Sequence, residues 1–326
     1  MKNRTLFTQT ALAATLAISL AAGNAAAQSI TVYSAGPAAL IENLAADFEA
    51  ESGISVNVFQ STTGQVMARL EAESSNPIAD VVVSASWDSA KAMKAQGDLL
   101  EYTSPNAAMV PDFLQDTHYV AQGVSALAMA WNRNSDVPMP SEWADLTDPV
   151  YKNEVTMPDP AQSGTAYQLV TGLLTANGEE QTWQLFSDLA ANDMIVPGPN
   201  ARALNPVLQG AKSVVFGAVD YIALGQQAQG EAIEVIFPES GTVVAPRPMM
   251  ILNTTQNEDE AKQFIDFVLS EQGQQRVAER YLMPARTDIE GLRPGINELN
   301  VIDVDEDAMA AQRDEILRQF RAITGQ

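Results

Sequence analysis

The sequence predicts an α/β protein of two lobes, each a mainly parallel sheet flanked by helices, joined by crossing strands. Two observations lead there. Strand and helix periodicities alternate from Ser29 to Val83 in a β-α-β-α-β rhythm, the pattern of a mainly parallel sheet with helices on both faces. A second alternating series begins near Asn153, and apolar runs around Gly123–Trp131 and Val244–Met250 read as segments crossing between the two.

In the first series, Ser29–Tyr33 reads as a strand and Ala38–Glu51 as a helix, with Leu40, Ile41, Leu44, Ala45 and Phe48 at helical spacing. Pro37 suits the helix start and Gly53 its end. Ile54–Phe59 is a second strand, Gln65–Glu73 a second helix, and Ala79–Val83 a buried strand leading to a helix near Trp87. Ligands of such sheets sit beyond the carboxyl ends of the strands. Three successive strands end there in hydroxyl-bearing loops, at Ser34, at Ser61, Thr62 and Thr63, and at Ser84–Ser86. Together they predict a polar, donor-rich rim.

The second series opens on Met157–Tyr167, which follows a strand-like segment and leads into an apolar helical run from Tyr167 to Leu174. Ser163, Gly164 and Thr165 therefore fall at a helix N-terminus, where free N–H groups and the helix dipole suit an anion. Gly164 would let the backbone approach a ligand closely. Glu179–Asn192 is an amphipathic helix, Asn200 precedes another from Arg202 to Gln209, and Val214–Phe216 is a buried strand leading to Asp220 and Tyr221. Arg247, between Pro246 and Pro248, lies on a crossing strand and suits bidentate contact with a phosphoryl or carboxylate group. Glu258–Leu269 and Glu271–Arg280 are helices, and Asp303–Ile323 an amphipathic tail.

Lys2 and Arg4, the apolar Ala11–Ala22 and the small residues Ala25–Ala27 predict a cleavable secretion signal over Met1–Ala27. The chain has no Cys, so neither a lipid-anchored Cys nor a disulfide is expected, and the location read is the periplasm. The formal charge is −23, and loss of the leader would make it two units more negative. Such a charge argues against nucleic acid as a partner. It also means that an anionic ligand must be met by local dipoles and a few placed cations. No nucleophile–base set, metal cluster or phosphate-binding loop is visible. His118, the single His, lies in a polar loop. A non-enzymatic protein without cofactor or metal is expected.

Stretches Ile30–Ser34, Phe48–Ile54, Asn76–Val83, Ser163–Ala166 and Asn257–Phe267 resemble the solute-binding proteins of ABC importers, in the group that contains the periplasmic ferric-iron binders. The resemblance implies a type II periplasmic-binding-protein fold. Lobe 1 would span 28–127, with 251–280 returning to it, lobe 2 would span 128–250, and 281–326 would wrap the outside. It also implies an inner-membrane permease and ATPase as partners, and a monomer is expected. Ferric members hold iron with a His after the first strand, a Glu after the third and two adjacent Tyr in the second lobe. The matching positions here are Pro37, Ala85, Asp220 and Tyr221, and Tyr221 alone keeps its identity. Ferric iron is therefore the alternative ligand, behind a phosphorylated or phosphonate-type organic anion such as 2-aminoethylphosphonate or a sugar phosphate. In ferric relatives a phosphate-like anion sits on a Ser-Gly-Ala type turn and an Asn before a helix. Ser163, Gly164, Thr165 and Asn200 are the implied counterparts, faced from lobe 1 by Ser34, Ser61, Thr62, Thr63 and Ser86. Asp220 would meet an ammonium or hydroxyl group of the same ligand, beside Tyr221 and Arg247.

Overall fold

Three short parallel strands carry the first half of the chain. In the computed structural model, which describes residues 28–302, 304 and 311–325, β1 (Ser29–Ser34) pairs in parallel with β2 (Ser55–Gln60) and β3 (Val81–Val83). The expected secretion signal, and part of the expected tail, lie outside the described residues. Helix α1 (Ala38–Ser52) buries Leu40, Ile41, Leu44, Ala45 and Phe48 and ends at Gly53, whose φ of 74° is cheap for glycine alone. Helices α2 (Thr63–Ala72) and α3 (Trp87–Gln96) follow β2 and β3.

Strand β4 (Tyr119–Asn132) is 14 residues long and organises the rest. Its first part, Tyr119–Ala126, pairs antiparallel with β8 (Val244–Ile251). From Leu127 to Asn132 it pairs instead with β6 (Val214–Val219) and β7 (Ile233–Ile236). The core changes at the same place. Val120, Ala121, Val124 and Ala126 pack with the β1–β3 sheet, whereas Leu127 and Met129 join a separate cluster around Trp143, Phe186 and Phe216. In β8, Ala245 belongs to the second cluster and Met249–Ile251 to the first. Both strands thus run from one core to the other. Every antiparallel pair contains β4 or β8; the parallel pairs belong to the alternating units, including β5 (Val155–Thr156) with β6.

The second half is completed by α4 (Gly164–Ala191), which breaks helical geometry at Gly178, by α5 (Asn200–Leu208) and by α6 (Asp220–Ala228). Helices α7 (Glu258–Val268) and α8 (Glu271–Ala278) come back to the first core, where Phe264 and Phe267 lie 5.4 and 5.6 Å from the Phe48 ring. Residues beyond 280 are not confined to the outside, as the sequence led us to expect. Strand β9 (Met283–Pro284) pairs with the middle of β4, and the side chain of Arg293 is fully buried. Helix α9 (Arg313–Thr324) packs on α4, with Phe320 edge-on to Phe186 at 5.3 Å.

Candidate functional site

Because β1, β2 and β3 are parallel, the loops at their carboxyl ends share one edge. Ser34 is fully buried, and its Oγ accepts from the Gly36 amide at 3.0 Å. Thr62 caps α2 by accepting from the Gln65 amide at 3.3 Å, Ser61 donates to the Gln65 side chain, and Thr63 is buried as the first residue of the helix. After β3, the Ser86 amide donates to Ser84 Oγ at 3.2 Å and Ser86 Oγ donates to the Asp88 carboxylate. The expected rim exists, though its hydroxyls already serve the turns that display them.

The second half faces this rim. Ser163 caps α4 by accepting from the Ala166 amide at 3.2 Å. Its Oγ also lies 2.9 Å from Thr165 Oγ1 and donates to Asn200 Oδ1 at 2.9 Å, which ties the starts of α4 and α5 together. Gly164 packs closely against the opposite half. A Cβ there would lie 2.7 Å from Ser86 Cβ and 2.9 Å from the Ala85 carbonyl, so the β3–α3 turn itself comes into close approach. Gly64 repeats the device, since its Cβ would lie 2.8 Å from the Ala161 carbonyl. The two halves therefore meet through glycines at the helix starts. A cavity of about 890 Å³ opens beside this seam, lined by Gly64, Ser86 and Ala161 of the seam itself and by Met67, Asp88 and Arg313.

The crossing strands carry further buried polar side chains. Arg247, on β8, is 1% exposed; it donates from Nη2 to the Ala35 carbonyl at 2.7 Å and lies 5.5 Å over the Tyr221 ring. Among the described residues it has no carboxylate partner, and its Nε has no acceptor. Gln122 of β4 is also buried, with Oε1 unmatched. A side chain at Gly36 would approach both, at 3.9 Å from Gln122 Oε1 and 4.0 Å from Arg247 Nη2. Asp220, the first residue of α6, accepts from the amides of Ala126 and Tyr221, each at 2.6 Å, and forms an ion pair with Arg293. Burial pushes its carboxyl up to about 6 despite Arg293. Burial likewise raises the Tyr221 hydroxyl, against the pull of Arg247.

Sequence reasoning missed Arg293 and Gln122. Arg293 sits in a segment read as a wrapper, where no periodicity marks an inward turn; Gln122 could have been noticed as a polar residue within an apolar crossing strand. Asp220, expected to meet a ligand ammonium or hydroxyl group, is paired with Arg293 in this structure.

A matching family model spans residues 76–308, and its description is bacterial extracellular solute-binding protein. This chain belongs to that family. It is 27% identical over 271 residues to iron uptake protein A1 of Synechocystis sp., covering 77% of this chain and 74% of that one. It is 25% identical over 250 residues to a putative 2-aminoethylphosphonate-binding periplasmic protein of Salmonella typhimurium, covering 74% and 73%. Among solved structures, the periplasmic binding protein AfuA from Actinobacillus pleuropneumoniae, with exogenous fructose-6-phosphate bound, superposes with a TM-score of 0.84 at 25% identity. That match covers 91% of this chain and 99% of AfuA. The fold of this family member is the type II periplasmic-binding-protein fold.

One further contact joins the two halves of this solute-binding protein. Arg313 of α9 reaches from the second core to Asp88 of α3, 3.1 Å from Nη1 to Oδ2, and stacks 4.2 Å over the Tyr167 ring. Burial raises the Asp88 carboxyl, more than Arg313 lowers it. A raised carboxyl favours the folded state at acid pH, and that contribution is lost as pH rises through the folded-state value. Arg313→Ala removes the offsetting charge. Its thermal stability should fall most at neutral pH, with the deficit shrinking as the buffer is acidified through the titration of Asp88. A deficit unchanged across a pH series would show that the pair is not responsible.

Proposed function

We propose that this protein is the periplasmic substrate-binding component of an ABC importer, capturing a small phosphorylated or phosphonate-type organic anion and passing it to an inner-membrane permease and its ATPase. One observation carries the ligand class. Arg247 is a fully buried guanidinium with an unmatched Nε and no carboxylate partner among the described residues, in a chain of formal charge −23. A buried charge is costly unless paired, so an anion is the missing partner. The starts of α2, α3, α4 and α5 bring positive dipole ends together where the two halves meet. The unmatched Gln122 Oε1 beside Arg247 suits a hydroxyl or ammonium donor on the organic part, as in a sugar phosphate or 2-aminoethylphosphonate. The names of the relatives point to the same choice and also to iron. Against ferric iron stands the local charge: Tyr221 lies under Arg247 and Asp220 is held by Arg293, so cationic side chains already occupy the neighbourhood of the two candidate ligands.

Calorimetric titration of the purified protein with 2-aminoethylphosphonate, fructose 6-phosphate, inorganic phosphate and ferric citrate tests this reading. We expect tight binding of at least one phosphorus compound carrying an organic part. Binding of ferric iron alone would overturn it. The same ligand should also bring the two halves together about β4 and β8, because contacts to both favour closure. Small-angle scattering should show a smaller radius of gyration at saturation than without ligand, and an unchanged radius would count against hinge closure. A monomer and a cleaved leader complete the proposal, each open to mass measurement on the exported protein.

A further inference from the structure

We infer that Arg293, delivered into the interior by the segment after β9, is a ligand-contacting residue that makes the site select a dianionic head group over a monoanionic one; this rests on the anion reading above. Its side chain has no solvent exposure. One guanidinium nitrogen, Nη1, pairs with Asp220, Nε donates to the Pro294 carbonyl at 3.1 Å, and the group lies 5.4 Å over the Phe237 ring. Nη2 is left buried with no acceptor. Arg247 Nε is in the same condition. Both guanidinium groups are held against the first two residues of α6, Arg293 on the Asp220 carboxylate and Arg247 over the Tyr221 ring.

The electrostatic balance follows from these contacts. Asp220 already accepts from two main-chain amides and from Arg293. It neutralises one guanidinium, and its contacts leave Arg247 without a counter-charge. The pair of arginines with Asp220 thus carries one net positive charge and two unmatched donor nitrogens. A singly charged head group cancels that charge but shares one negative charge between two donors. A phosphoryl or phosphonate dianion offers three equivalent oxygens and about twice the charge, so it can serve Arg247 and Arg293 together through charge-assisted bonds. Lys at position 293 would keep the charge but lose the planar fork that lets one group hold Asp220 and the ligand at once.

The experiment compares two near-isosteric head groups of different charge. Parent, Arg293→Ala, Arg293→Lys and the double variant Arg293→Ala with Asp220→Asn are titrated with 2-aminoethylphosphonate and 2-aminoethylsulfonate, with thermal unfolding of each as the control for folding. The double variant removes both charges, so it reports on the contact even if Arg293→Ala, which strands Asp220, is too unstable to measure. Expected results are a parent preference for phosphonate of tenfold or more, and a loss of phosphonate affinity of at least tenfold in the double variant, with the preference largely gone. Arg293→Lys should fall between. If the variants lacking Arg293 bind phosphonate as tightly as the parent, with the same preference over sulfonate, the inference is wrong while the anion reading stands. If the parent binds none of the phosphorus compounds, including fructose 6-phosphate and inorganic phosphate, the anion reading falls and this inference with it.

Discussion

Arg247→Met is expected to abolish high-affinity capture of the phosphorylated or phosphonate ligand while leaving the empty protein at least as stable as the parent. In this structure the guanidinium is buried, makes one hydrogen bond to the Ala35 carbonyl and has no carboxylate partner among the described residues. Replacing such a charge by an apolar side chain of similar length is commonly neutral or stabilising. In the bound protein the same group would hold the ligand's charge in a water-poor site. Removing one member of a desolvated charge pair costs about 2–5 kcal/mol, or roughly 30- to 5,000-fold in affinity. The two effects have opposite signs, which separates a binding arginine from a structural one. Calorimetry and thermal unfolding on the same preparation read both. A variant that loses stability but keeps its affinity would show that Arg247 serves to anchor the loop after β1.

The contrast between Arg247 and Arg293 shows how much of the site was legible beforehand. Arg247 was visible because cations are scarce in this chain and this one stands between two prolines in an apolar strand. Arg293 stands beside Pro294 and Gly295 in a polar stretch that reads as surface, and its burial depends on long-range packing against Phe237 and Asp220. The alternating units were legible because their helices keep a clean apolar face, as α1 does from Leu40 to Phe48. The length of β4 was underestimated at both ends. Tyr119–Ala121 and Asn132 follow from its pairing with β8 and β7, and pairing between distant segments leaves no local periodicity. Gly164 reads from the sequence as a place where a ligand could approach the backbone, and in the structure the β3–α3 turn approaches it. What approaches it was invisible, because Ala85 and Ser86 are almost eighty residues away in the chain.

That approach makes Gly164→Val the substitution expected to act most strongly on closure. The first Cβ atom alone would sit 2.7 Å from Ser86 Cβ and 2.9 Å from the Ala85 carbonyl, and the second of these is backbone and cannot swing aside. Gly164 begins α4 with a backbone conformation open to any residue, so α4 and its core should form normally. The penalty therefore falls on the contact between the halves. Overpacking of a close contact typically costs about 1–3 kcal/mol, which corresponds to a loss of roughly 5- to 150-fold in apparent affinity if only the closed form holds the ligand. Thermal unfolding of the ligand-free variant should stay near that of the parent. Scattering at saturating ligand should retain a larger radius of gyration than the closed parent. Gly64→Val should reproduce this behaviour from the other half, because its Cβ would meet the Ala161 carbonyl at 2.8 Å. If either variant closes fully and binds 2-aminoethylphosphonate or fructose 6-phosphate as tightly as the parent does, the glycine contacts play no part in closure.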